Sequence, residues 1–298
     1  MNEPLKYFVK ELIDKELGYD VSIEKGISIG GGCINNACLV KTNIGECYFL
    51  KYNESVSPKM FEAEAIGLNE LYKADLLRVP RVLGFSSEKQ SNVTPFILME
   101  YLQSAPKKSN FFEEFGRNFA KLHKITKSQY GFFEDNFIGK TPQINQWMDE
   151  WVDFFRDKRL GYQVELAKKS NLWNEKLNKL WEKLESRLDE LIGNPKEPAS
   201  LLHGDLWSGN YLVGPTGEPI LIDPAVYYGS READLAMTEL FGGFDRTFYD
   251  SYKEEYPIEP EYDDRAQIYK LYHLLNHLNL FGKQYESSVL SIMEHFSG

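Results

Sequence analysis

An α+β fold in two lobes, strands first and helices after, is what this sequence predicts, on three observations. Its 298 residues exceed one small core and suffice for two. Short β-prone runs broken by turn residues fill 21–52 and return at RVLGF and PFILMEYL, whereas most of the chain beyond them carries apolar residues at helical spacing. Between these textures lies LQSAPKKSN, a polar stretch with a proline, which places a hinge near 102–109 and divides the chain into lobes 1–102 and 103–298.

In chain order, Leu5, Phe8, Val9, Leu12, Ile13 and Leu17 make residues 4–17 an amphipathic helix of structural role. VSI, ISI, NACLV and CYFLKY follow as antiparallel strands, separated by Gly26, the run Gly30, Gly31 and Gly32, and the turn from Asn43 to Gly45. Pro58 opens a helix to about residue 73 with Ala63, Leu68 and Leu71 inward, and RVLGF and PFILMEYL complete the first lobe. Helices are expected over 110–126, 145–169, 173–192 and 261–296. The stripe Trp173, Leu177, Leu180, Trp181, Leu184, Leu188 and Leu191 reads as core, while the aromatic run Trp147, Trp151, Phe154 and Phe155 reads either as core or as the wall of a binding pocket.

Composition removes several classes of function. Net charge is 34 − 45 = −11 with no basic cluster, so a nucleic-acid partner is not expected. No apolar stretch approaches bilayer length, and MNEPLKYFVKELIDKEL has no apolar signal core, so a cytoplasmic protein without a membrane partner is expected. Cys33, Cys38 and Cys47 form no CxxC pair; Cys38 and Cys47 read as small core residues, and Cys33, following three glycines, as exposed.

The chemistry lies in HGDLWSGN, residues 203–210, and in ILID, ending at Asp223. A carboxylate on a tight loop can take a proton from a substrate hydroxyl, which assigns Asp205 as general base or hydroxyl-positioning group. Asn210 and Asp223 supply the oxygen ligands that would hold Mg2+ under a triphosphate, with YLV, GPTGEP and ILID forming the intervening hairpin. His203 reads as support for the loop backbone rather than as a base, and Asp234, in READLAM, as beginning or capping a helix that steadies that loop.

Ahead of this pair, Gly30, Gly31 and Gly32, with Cys33 next to them, lie between two strands, where backbone amides can approach a phosphate; the spacing is not that of a Walker loop. Lys51 in CYFLKY stands where a side chain would reach bound phosphates, and Glu64 in the next helix can pair with it, Glu62 being the alternative. Met99, Glu100, Tyr101 and Leu102 follow as a hinge strand whose backbone around Glu100 to Leu102 would meet an adenine edge. Glycine run, lysine, helix glutamate and hinge strand, in that order, is the order of a bilobal protein-kinase-like fold.

Those motifs, with Trp207 in the loop, PAVYYGSREADLAM, MFEAEAIGL and the segment GFFEDNFIGKTPQINQWMDEWVDFFRDKRL, resemble the fructosamine-3-kinase or ketosamine kinase family, within the aminoglycoside phosphotransferase and choline kinase-like group. The resemblance covers nearly the whole chain. Against protein kinases, HGD stands for HRD, IDP for DFG, and no APE segment is present. The resemblance implies an ATP- and Mg2+-dependent kinase acting on the 3-hydroxyl of a ketosamine, free or protein-bound, in the repair of glycated amines. It also implies a redox role for Cys33, so that the protein is expected as a monomer or as a redox-linked dimer through that residue. Trp207, Asn145, Trp147 and Tyr227 are the candidate substrate contacts. Two other readings stay open: an aminoglycoside- or choline-type kinase of the same fold, which the acidic charge would also suit, and a nucleotide-binding regulatory protein without catalysis.

Overall fold

The structure, a computed structural model, describes residues 2–29, 35–87 and 93–296. The chain divides into two compact units, one of residues 1–111 with 212–224, the other of residues 112–211 with 225–298.

In the first unit, helix α1 (Glu3–Leu17) is started by Asn2, whose side chain accepts the Leu5 N–H at 3.0 Å, and ended by Gly18 in the left-handed region. Its buried stripe Leu5, Val9 and Ile13 packs into a core with Val40, Leu50, Phe96 and Leu98. Strands β1 (Ile23–Ser28), β2 (Asn36–Thr42), β3 (Cys47–Tyr52), β4 (Val82–Phe85) and β5 (Phe96–Glu100) form one antiparallel sheet in the order β1-β2-β3-β5-β4. Helix α2 (Pro58–Ala74) begins at the Ser57 cap with Pro58 in its first turn, as expected, but buries Ala65 rather than Ala63. Cys38 is buried in this core and Cys47 is half-buried. The strand Pro219–Leu221 is held within this unit by Arg78. Its carbonyl accepts the Leu221 N–H at 2.9 Å, while its guanidinium reaches Glu218 at 2.9 Å and Glu100 at 2.8 Å.

The second unit is built mainly of helices around a small three-stranded sheet, in which Ala199–Leu202 lies between Thr126–Lys127 and Tyr227–Gly229. That sheet shortens the first expected helix to Phe111–Leu122, because residues 126 and 127 pair with the central strand. The expected helix at 145–169 begins only at Trp151. Residues 145–148 are extended, since Phe132 N–H donates to the Asn145 carbonyl at 2.8 Å and Tyr130 exchanges bonds with Met148. From Trp151 the chain is helical, passes through a π turn at Phe155–Gly161, and continues as Tyr162–Lys169. Trp151, Phe154 and Phe155 are core, and the Trp151 indole donates to the Tyr269 hydroxyl at 3.1 Å. The 173–192 stripe is two helices, Glu175–Glu185 and Leu188–Leu191. The closing region is Tyr262–Phe281 and Glu286–Phe296. Among the described residues no helix is long and apolar enough to cross a membrane.

Candidate active site

In the first unit, the pairing of β3 with β2 and β5 fixes Lys51 opposite Ala37 and Ile97. Its ammonium donates to Glu64 Oε1 at 2.8 Å and to Asp223 Oδ1, which decides between Glu64 and Glu62. Burial disfavours the charge of Lys51, but the carboxylates of Asp223 and Glu64 more than offset it and hold its pKa above the ordinary lysine value. Burial pushes the Glu64 carboxyl up, with Lys51 pulling down and Asp223 pushing up. Asp223 has a φ of 54°, a region non-glycine residues seldom adopt, and its side chain is 44% exposed, so one carboxylate edge stays open beside the lysine.

Met99 is buried in β5. The Glu100 N–H is committed to the Arg81 carbonyl at 2.9 Å and its carboxylate to Arg78, so of the expected hinge residues Tyr101 and Leu102, just past the strand, keep their backbone outside the ladder. Gly30, Gly31, Gly32 and Cys33, expected at the phosphate loop, lie outside the described residues.

In the second unit, the strand Ala199–Leu202 runs into His203 and Gly204, and Asp234 pins both. Its carboxylate accepts the His203 N–H at 2.6 Å and the Gly204 N–H at 2.8 Å, with His123 Nε2 at 3.3 Å on the same side chain. His123 in turn bonds the Tyr252 hydroxyl at 2.7 Å. Asp234 sits inside the helix Arg231–Leu240, whose N-cap position is Ser230, so it serves the loop and does not cap the helix. Burial would raise its pKa, but hydrogen bonds from His123 and the Gly204 N–H outweigh burial and hold it below the ordinary carboxylate value; His123 is pushed down chiefly by burial. Gly204 has φ +83°, and a Cβ there would run into the Ala225 carbonyl, so this turn requires glycine.

The loop then closes on itself. His203 Nδ1 accepts the Asp205 N–H at 3.3 Å, and the Asn210 N–H returns to the Trp207 carbonyl at 2.9 Å. The Asn210 amide nitrogen donates to the Asp205 carbonyl at 2.7 Å and to Asp205 Oδ2 at 3.1 Å, which leaves the amide oxygen pointing away as a ligand for a hard cation. Among the described residues no three His, Cys, Asp or Glu side chains group tightly enough to hold a metal ion. A cation held at the Asn210 amide oxygen would therefore draw most of its shell from water and phosphate oxygens, as Mg2+ commonly does.

The four candidate substrate contacts are placed differently. Trp207 is 37% exposed, its ring against Gly209 and edge-on to Phe241 at 5.9 Å. Trp147 is half-buried with its ring 6.1 Å from Tyr228. Asn145 is 1% exposed and its amide is consumed by the Glu134 carbonyl at 3.0 Å and Arg159 at 2.7 Å. Tyr227 is 2% exposed under the Arg159 guanidinium, with burial pushing its hydroxyl up to about 12. Asn145 and Tyr227 thus stand in the interior around Arg159. Sequence reasoning passed over His123, His273 and Arg78. Their neighbours in the structure, Asp234 for His123, Asp205 for His273 and Glu218 for Arg78, lie far away in the chain, and no local spacing announces them.

The sequence model of the fructosamine kinase family matches residues 6–297. A Synechocystis protein designated a probable ketoamine kinase is 39% identical over 96% of this chain and 95% of its own length. The chloroplastic protein-ribulosamine 3-kinase of Arabidopsis thaliana is 40% identical over 94% of this chain and 84% of its own. A crystal structure from Haemophilus somnus, designated a fructosamine-3-kinase, superposes with a TM-score of 0.87 at 30% identity, covering 97% of each chain. The fold extends further: an aminoglycoside phosphotransferase bound to ADP and hygromycin B matches at a TM-score of 0.63 and 13% identity.

Proposed function

We propose, from the premise that this chain belongs to the fructosamine kinase family, that it transfers the γ-phosphoryl group of ATP to the 3-hydroxyl of a ketosamine on a small amine or a protein lysine. The observation that carries the reading is Asp205 on a loop tied down at both ends, by Asp234 on His203 and Gly204 and by Asn210 on Asp205 itself. A carboxylate held this way can orient the acceptor hydroxyl and take its proton as the oxygen–phosphorus bond forms and the bond to ADP breaks. Lys51, kept charged by Glu64 and Asp223, binds phosphate oxygens. Asn210 and Asp223 would hold Mg2+, which when bound neutralises charge on the phosphates. The protein-ribulosamine 3-kinase among the relatives supports a ribulose-derived sugar beside a fructose-derived one.

The test is a panel in Mg-ATP with ribulosyl-lysine, fructosyl-lysine, choline and an aminoglycoside, following ADP release. Acceptor-dependent ADP release is expected with the two ketosamines. Turnover of choline or the aminoglycoside with both ketosamines inert would replace this reading by the other kinase of the same fold.

A further inference from the structure

One buried group beside Asp205 has no part in the scheme above. His273, on the helix Tyr262–Phe281, is 4% exposed, and its Nδ1 is out of solvent reach with no hydrogen-bond partner among the described residues. The nearest carboxylate oxygen to that nitrogen is Asp205 Oδ1, at 3.9 Å. A buried polar atom without a partner costs stability, so its presence needs a reason. The other oxygen of the same carboxylate, Oδ2, already accepts from Asn210 at 3.1 Å.

The tautomer follows from electrostatics. A bare lone pair on Nδ1 would face the negative charge of Oδ1, whereas an N–H there points a donor at it. The ring is uncharged, since burial holds its pKa far below the ordinary histidine value. The gap exceeds an N–H···O bond by roughly 1 Å, within reach of a small rotation of the Asp205 side chain and too short to admit a water.

Resting on the reading of Asp205 as the acceptor-side base, we infer that His273 is its positioning residue. When the acceptor hydroxyl draws the carboxylate into working geometry, Oδ1 takes the His273 Nδ1–H while Oδ2 keeps the Asn210 amide. Both oxygens are then fixed, Oδ2 by Asn210 and Oδ1 by His273. The hydroxyl proton passes to Asp205, and His273 stays neutral and transfers nothing.

His273→Leu, His273→Asn and His273→Gln separate this from a packing role, because Asn places its amide nitrogen where Nδ1 stands and Gln places it where Nε2 stands. With an acceptor the parent turns over, His273→Leu should lower kcat about 10-fold or more, the size of a lost bond to a charged group, with the KM for Mg-ATP within about twofold. Its melting temperature should hold or rise, since no polar atom is left unpaired. His273→Asn should restore most of the rate and His273→Gln should not. A parental kcat in His273→Leu, or equal losses in the Leu and Asn variants, overturns the inference. Asp205→Asn measured alongside keeps the two readings apart: if it is inactive while His273→Leu is unimpaired, only the role of His273 fails, and if it is active, the assignment of Asp205 fails first.

Discussion

In the proposed reaction Asp205 would meet its acceptor with Oδ2 tied, because Asn210 donates to Oδ2 at 3.1 Å and to the Asp205 carbonyl at 2.7 Å. Asp205→Asn preserves that clamp, since the new amide can turn its oxygen toward Asn210, and removes the capacity to accept a proton together with the oxygen that would take the His273 Nδ1–H. The rate should therefore fall by roughly 100- to 10,000-fold, the usual worth of a positioned base, while Mg-ATP binding is unchanged. Steady-state kinetics and an ATP titration check this, and a rate within a few-fold of the parent would remove Asp205 from the chemistry. Residues of this kind are legible in the sequence because their spacing is local: Asp205, Asn210 and Asp223 come from one loop and one hairpin, and Lys51 from one strand end. Glu62 and Glu64 differ by two positions on a helix, and only the 2.8 Å bond to Lys51 separates them. Asn145 and Tyr227 misled because an amide and a phenol look alike in a pocket and in an interior; the buried Arg159, which consumes both, leaves no local trace.

At the scale of elements, the helices Phe111–Leu122 and Arg246–Glu255 touch backbone to backbone at Gly116, where a Cβ would run into the Phe248 carbonyl. Phe115 and Phe119 flank the contact, with ring centroids 5.2 and 5.9 Å from that of Phe248. Gly116→Ala sets two effects against each other: alanine favours a helix interior by about 1 kcal/mol, and overpacking against backbone costs on the order of 1–3 kcal/mol or more. The obstacle is a helix carbonyl and not a movable side chain, so the clash should win and thermal unfolding should come earlier. A raised melting temperature would show that the helices part freely. Helix Arg246–Glu255 was itself findable, since Asp245 accepts the Thr247 N–H at 2.9 Å in an ordinary N-cap, whereas the sheet of Thr126–Lys127, Ala199–Leu202 and Tyr227–Gly229 was not. Strands of two to four residues carry no period, and their partners are far away in the chain. The first-unit sheet was legible for the opposite reason, its strands being longer and its turns marked by glycine and asparagine.

Across the whole molecule, charge and protonation decide how stability responds to acid. Of five histidines, His123, His273 and His277 are held below the ordinary value of 6.5, each mainly by burial and His273 to about 3. A depressed histidine is neutral in the folded protein at a pH where the unfolded chain already binds a proton. Its contribution is thus complete above about pH 6.5 and is lost as pH falls from there toward the folded value. Each fully buried ring, His123 and His273, should cost up to about 1.4 kcal/mol per pH unit in that window, with half-buried His277 adding less. Asp234 behaves in the same sense at lower pH: its lowered pKa contributes fully above the ordinary value of 3.8, and the contribution is lost as pH falls below it. Between pH 6.5 and 5 the histidines act nearly alone, because most carboxylates remain ionised. The melting temperature should be level from pH 8 to 7 and fall steadily below 6.5, and His273→Leu should flatten that fall by the share of one proton. A profile level down to pH 5 would mean that the folded protein protonates these rings as readily as the unfolded chain does, which their burial forbids.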